Sequence, residues 1–273
     1  MTSLAAAHLL AARSNSRTST GTAAGRTVAI ASGKGGVGKT WFAITLAHAL
    51  ARRGHRVLLF DADLGLANVD IQLGLTPDLD LGSVMSGAAT LSDAVLRSVP
   101  GGFDVLAGRS GSGSLAAVDG VALDRLLTAL GAIASRYDTV LLDLGAGLDR
   151  AVRRMAAWAD TLLVVATEEP TSLTDAYATL KLHTADRPGG DARIVVNQAG
   201  TPASGDRTAA TLTRACAAFL GHSPPVVGTI RRDGHVGDAI RRQTPLLTRH
   251  PNCPASLDVE RIAERLSGIP SGM

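Results

Sequence analysis

Within nine residues, Ser32-Gly33-Lys34-Gly35-Gly36-Val37-Gly38-Lys39-Thr40 brings together two ammonium groups, a hydroxyl and four glycines. Glycines let successive backbone N–H groups turn toward one anion, a lysine neutralises it, and a hydroxyl ligates the cation that travels with a nucleoside triphosphate. Two phosphate-binding patterns overlap here. Gly33-x-Gly35-x-x-Gly38 fits a dinucleotide turn, and Asp61 stands at about the spacing of a ribose-binding carboxylate. Gly33-x-x-x-x-Gly38-Lys39-Thr40 fits a P-loop, which needs a lysine on the β/γ-phosphates and a hydroxyl on Mg²⁺ at those places. A dinucleotide turn has no use for Lys39-Thr40. A P-loop also needs an acidic residue closing a distant apolar strand, and Val140-Leu141-Leu142-Asp143 supplies one. The P-loop is therefore the reading that accounts for every residue.

Charge usage points the same way. Of 27 Lys+Arg in 273 residues, only Lys34, Lys39 and Lys181 are lysines, and two of these lie inside the loop. A compact ammonium fits a phosphate cradle where a planar guanidinium would not. The net charge of +3 is mildly basic, but the arginines are scattered and not interleaved with aromatics, so no nucleic-acid surface is expected. The arginine pairs at 52–53, 153–154, 231–232 and 241–242 read as solvated helix faces. Cys216 and Cys253 form no C-x-x-C pair, which argues against a cysteine-ligated metal, and the seven histidines are dispersed. No apolar run approaches the roughly 18 residues of a membrane span, and the first residues lack the basic region of a secretory signal. These features together give a cytoplasmic expectation.

The loop must be positioned by regular elements. Residues 14–26 are Ser/Thr/Gly-rich and aperiodic, so 1–25 reads as a flexible extension, with Leu4, Leu9, Leu10 and Arg13 able to form a short partner-bound helix. From 26 to 268, short aliphatic runs at 27–32, 56–61, 103–108, 138–143, 161–167, 192–198 and 226–230 alternate with helical patterns, and 269–273 reads as a tail. Near-continuous Val/Leu/Ile strands separated by helices predict an α/β domain with a mostly parallel, doubly wound sheet. Ligands in such a fold bind beyond the strand carboxyl ends. The residues there are Gly33 to Thr40, Asp61 and Asp63, Asp143, Glu168 and Glu169, and Asn197.

The block KGGVGKT (34–40) resembles the deviant Walker A signature of the MinD/ParA superfamily of P-loop ATPases. FDADLGLANVDIQLGL (60–75), LGSVMSGAATLSDAV (81–95), TEEPTSLTDAYATLK (167–181) and VVNQ (195–198) are similar to its FlhG/FleN branch of flagellar-number regulators. Plasmid partition relatives carry Pro-Gln-Gly after the switch aspartates, and iron-carrying relatives carry cysteine pairs; neither is present. The resemblance implies Mg²⁺-dependent ATP hydrolysis by a homodimer assembled on ATP, in which Lys34 reaches the partner's nucleotide. It further implies that Gly33, Gly35, Gly36, Val37 and Gly38 wrap the phosphates together with Trp41, that Lys39 neutralises them, and that Thr40 ligates Mg²⁺. Asp143 would hold the metal's water shell and anchor the following switch through Gly147, and Asp61 would lie beside the metal. Asp63 would orient the attacking water, and Asn197 would read the adenine edge. TIRRDGHV (229–236) matches a base-side loop that usually reads Ile-Pro-x-Asp; Arg231 replaces the proline, and Asp233 keeps the acid.

Two departures bear on partners. Relatives in this superfamily end in a basic amphipathic helix that binds membrane, whereas here Glu260 and Glu264 dilute the charge and Leu257, Ile262 and Leu266 make a modest stripe, so the last helix is expected to close the core. The Asp-Gln-Ala tripeptide with which flagellar relatives stimulate a signal-recognition-type GTPase is also absent. Partners implied by the resemblance are a flagellar GTPase, a basal-body protein or a transcription regulator, at the inner membrane or cell pole. A partition or cargo-positioning ATPase, or a nucleotide-binding scaffold with little hydrolysis, stays open on sequence alone.

Overall fold

The structure, a computed structural model of the chain, describes residues 25–108 and 119–268. The extension's expected helix and the tail lie outside them. Eight strands form one sheet: β1 (Arg26–Ala31), β2 (Val57–Ala62), β3 (Val95–Leu96), β4 (Asp104–Leu106), β5 (Thr139–Leu144), β6 (Thr161–Ala166), β7 (Asp191–Ala199) and β8 (Val226–Arg231). Their order is β3-β4-β2-β5-β1-β6-β7-β8, and every pairing is parallel except β3 with β4. Seven strands match the aliphatic runs; β3, two residues long at the sheet edge, carries no run to announce it.

Side-chain alternation explains the layers. From β1, Val28 and Ile30 enter a core with Trp41 and Phe42 of α1 (Lys39–Arg52), while Ala29 and Ala31 enter the core on the opposite face. That second core is closed by α4 (Gly120–Ala134), α5 (Arg150–Trp158), α6 (Pro170–Asp186) and α7 (Pro202–Leu220). Two short helices, α2 (Val69–Leu73) and α3 (Leu81–Met85), lie between β2 and β3, and α8 (Gly234–Arg241) and α9 (Leu246–Arg249) follow β8.

The last helix, α10 (Pro254–Ser267), closes the core beside α1 through Val259, Ile262, Ala263 and Leu266. Leu257, expected in its apolar stripe, is 39% exposed instead, because the helix turns its Ala255/Val259/Ile262 face inward. Glu260 and Glu264 pair with Arg52 and Arg53 of α1 at 2.9 and 3.7 Å. Several arginine pairs are thus ion-paired rather than merely solvated: Arg153 binds Asp186 at 2.5 Å, Arg154 binds Asp124, and Arg231 lies on β8 bound to buried Asp258 at 2.8 Å. Among the described residues, no helix is long and apolar enough to cross a membrane.

Two buried histidines give the fold a pH signature. His48 on α1 and His183 on α6 are 6% and 5% exposed, and burial, helped by Arg52 and Arg187, pushes both down to about 4. The folded state therefore holds them neutral. Their stabilising contribution is complete above about 6.5, the unfolded value, and is lost as pH falls through the window down to about 4. At about 1.4 kcal/mol per pKa unit, each is worth up to roughly 3 kcal/mol. The expected result is that His48→Leu/His183→Leu loses less thermal stability between pH 7 and 4.5 than the parent chain. Parallel melting curves would refute this.

Candidate active site

At the sheet's centre the chain leaves β1 toward β2 on one side and later crosses to β6 on the other. The carboxyl ends of β1, β2 and β5 meet at this switch point. The loop after β1 takes left-handed backbone at Gly36 (φ 82°) and Gly38 (φ 83°), conformations that only glycine adopts without strain. Gly38 leads directly into α1, so the helix N-terminus faces the loop. A Cβ on Gly38 would stand 2.6 Å from Nδ2 of Asn197, and one on Gly33 would stand 2.5 Å from the Asp175 Cβ. The end of β7 secures the loop by its carbonyls: Asn197 Nδ2 donates to Val37 O at 2.8 Å, and Gln198 Nε2 donates to Gly36 O at 3.2 Å. Held in this way, the loop keeps its N–H groups for an anion.

Lys39 Nζ lies 3.0 Å from Asp143 Oδ1, with the two side chains 7% and 1% exposed. Burial pushes the Asp143 proton affinity up, against the pull of Lys39 and Thr40. Its Oδ2 is buried and has no hydrogen-bond partner among the described residues. Asp61 is the register partner of Asp143 on β2. Burial and then the Asp143 charge push it upward too, opposed by backbone N–H groups of Val69, Asn68 and Asp63. Those N–H groups lie 2.9, 2.9 and 3.3 Å from its carboxylate, which thereby fixes the start of α2. An orphaned carboxylate oxygen, a hydroxyl and a second carboxylate make a hard-oxygen donor set, and that set fits Mg²⁺.

Asp63 is half-buried, and its Oδ1 accepts from Gly65 N (3.2 Å) and Leu66 N (2.9 Å). A Cβ on Gly145, in the loop after β5, would lie 3.3 Å from that oxygen, so Asp63 packs closely against the β5 loop. Gly147 N donates to Ser32 O at 3.0 Å, which ties the β5 loop to the start of the P-loop. Lys34 points away from Lys39; its Nζ lies 2.5 Å from Glu169 Oε2 and 3.2 Å from Thr171 Oγ1, at the start of α6. Trp41 is 6% exposed with its indole in the core, so only its backbone can serve the site.

The structure engages Asn197 differently from the sequence expectation. It is 2% exposed, its amide nitrogen holds the loop, and its Oδ1 accepts from Gln198 N at 2.8 Å. Asp233 touches no P-loop residue; it caps α8 through His235 N at 3.0 Å and also accepts from Ala255 N at 3.1 Å. Gln198 and Thr171 went unread as site residues, and Glu169 stood at the ligand edge without a role, since nothing local in the sequence shows that they meet the loop. Asp233, His235 and Cys253 form a further cluster that spacing alone could not reveal.

Residues 28–246 match the CobQ/CobB/MinD/ParA nucleotide binding domain. The chain is 37% identical over 243 residues to the antiactivator FleN of Pseudomonas aeruginosa, covering 89% of this chain and 86% of that one. It is 32% identical over 182 residues to the flagellum site-determining protein YlxH of Helicobacter pylori, covering 66% and 60%. Among solved structures it is similar to the cell division ATPase MinD of Pyrococcus furiosus, with a TM-score of 0.74 and 25% identity over 89% of this chain and 98% of that one. The MinC:MinD cell division complex of Aquifex aeolicus matches with a TM-score of 0.74 and 25% identity over 91% and 98%. These flagellar relatives favour regulation of flagella over partition. The chain belongs to the MinD/ParA superfamily of P-loop nucleotide-binding proteins, in the branch of the flagellar regulators FleN and FlhG.

Proposed function

We propose that the chain exercises its flagellar role as an ATP-driven dimer that hydrolyses ATP to ADP and phosphate and changes partners with its nucleotide state. The observation that carries this reading is the division of labour between the two lysines. Lys39 already serves the chain's own loop, while Lys34 is held outside it at the rim by Glu169 and Thr171.

In the absence of substrate, Asp143 is the counter-ion of Lys39. The β/γ-phosphates of ATP take over that ammonium and free the Asp143 carboxylate for the metal's water shell. Thr40 and Asp143 would hold Mg²⁺, which neutralises charge on the transferring phosphoryl oxygens. Asp63 then positions the attacking water. In a loose, metaphosphate-like transfer positioning matters more than basicity, so a carboxylate suffices and turnover is slow. Lys34 leaves Glu169 and meets the partner's phosphates, so the full complement of cations exists only in the dimer. Asn197 holds the loop and, with Asp233, lies on the base side. A flagellar GTPase, basal-body protein or transcription regulator is the partner class, met in the cytoplasm, at the inner membrane or at the pole.

Lys34→Ala tests the arrangement. The variant is expected to bind ATP as a monomer and hydrolyse it poorly, and mixing it with an Asp63→Ala chain should restore at most one working site per mixed dimer. Sedimentation showing parental dimerisation and turnover for ATP-loaded Lys34→Ala would remove the cross-subunit role.

A further inference from the structure

The cluster that sequence spacing concealed lies where α8 begins against the start of α10. Asp233 is the N-cap of α8, His235 is in its first turn, and Cys253 is the N-cap of α10. A carboxylate oxygen, an imidazole nitrogen and the Cys253 sulfur all lie within 4.8 Å of one another. Asp233 Oδ1 is 2.7 Å from His235 Nδ1, and the Cys253 sulfur lies 3.3 Å from Ser256 Oγ. Asp233 and Cys253 are 5% and 7% exposed, whereas His235 is 53% exposed, so the pair inside is reached from solvent past one exposed imidazole. The His235 ring packs on that of His250 with centroids 4.4 Å apart, and His250 is itself fixed by Asp238 at 2.8 Å.

We infer that Asp233, His235 and Cys253 form a binding site for a thiophilic divalent cation of the Zn²⁺ class, separate from the Mg²⁺ position at Thr40 and Asp143. Tetrahedral Zn²⁺ with one sulfur, one nitrogen and one oxygen ligand sets its donors roughly 3.2–3.8 Å apart. The present spacing reaches that by small side-chain shifts, mostly of exposed His235. Water fills the fourth position. On binding, the Cys253 thiol loses its proton to solvent and the cation takes the place of the hydrogen bond that now joins the Asp233 and His235 side chains. Thiolate and imidazole select against Mg²⁺, so the two metal positions do not compete. The cation would pin the start of α8 to the start of α10. Those two points lie 20 residues apart in sequence, and the Asp233 carboxylate already joins them by accepting from Ala255 N at 3.1 Å.

Titration of the full chain with Co²⁺ in the presence of excess Mg²⁺ tests this. The expected result is one Co²⁺ per chain, with a thiolate-to-metal charge-transfer band and intense tetrahedral d–d bands, both displaced by Zn²⁺. Cys253→Ser places a favoured N-cap hydroxyl where the thiol makes no cap hydrogen bond and should fold; it should lose the charge-transfer band. His235→Gln, on an exposed side chain, should weaken binding by at least about 100-fold, the upper end of what disturbing a ligand's surroundings costs. Cys216→Ala should change neither. No charge-transfer band in the parent chain, a band surviving in Cys253→Ser, or parental affinity in His235→Gln would overturn the site. Because the tested variants change His235 and Cys253 and leave Asp233 and the P-loop residues intact, this outcome is independent of the proposed ATP switch.

Discussion

Lys39→Met is expected to lower Mg-ATP affinity roughly 100-fold or more, since a charge-assisted hydrogen bond in a water-poor site is worth up to about 3 kcal/mol. The same change should destabilise the empty protein. Lys39 and Asp143 are 3.0 Å apart and 7% and 1% exposed, so removing the ammonium strands a buried carboxylate. Breaking such a pair from one side costs about 3–5 kcal/mol, although Asp143 can shed part of this by taking up the proton that burial already favours. The double variant Lys39→Met/Asp143→Asn separates the two effects. It should regain most of the melting temperature while ATP binding stays lost. Parental affinity by calorimetry in folded Lys39→Met would remove the P-loop assignment.

What made this site legible was its dependence on short, local patterns. The glycines, Lys39 and Thr40 are contiguous, and Asp143 closes a run of three aliphatic residues, Val140 to Leu142, whose only plausible place is a central strand. The parallel sheet was readable for the same reason, because strands buried on both faces need unbroken Val/Leu/Ile. Contacts that join distant stretches were not readable. Asn197 and Gln198 meet loop carbonyls some 160 residues away, and Lys34 meets Glu169 135 residues on. Such meetings are set by strand order, which no local pattern encodes. β3 escaped because two residues at an edge need no apolar run. Leu257 misled because an aliphatic residue at helical spacing says nothing about which face turns inward.

Asp63→Asn should lower kcat by roughly 100-fold, the cost of misplacing a reacting group. ATP affinity should be almost unchanged. Asparagine keeps the Oδ1 that caps Gly65 and Leu66, so the loop after β2 retains its shape and the loss falls on the transition state. Asp63→Ala would strip those caps as well and mix the two effects. Equal losses in kcat/KM and kcat for Asp63→Asn, with unaltered ATP affinity, would place the residue at the attacking water. Unchanged turnover would move that role to another group, Asp61 being the nearest carboxylate in sequence.

The dimer is the centre of the account, because Lys34 has a task only if a second subunit's phosphates come within reach. Sedimentation velocity of Asp63→Asn, saturated in turn with Mg-ADP and Mg-ATP, tests it most directly, since slow hydrolysis keeps the triphosphate state populated throughout the run. The account predicts a monomer with ADP and a dimer with ATP, the dimer vanishing when Lys34→Ala is added to the same chain. A chain that binds ATP by calorimetry yet sediments identically as a monomer with both nucleotides would contradict it.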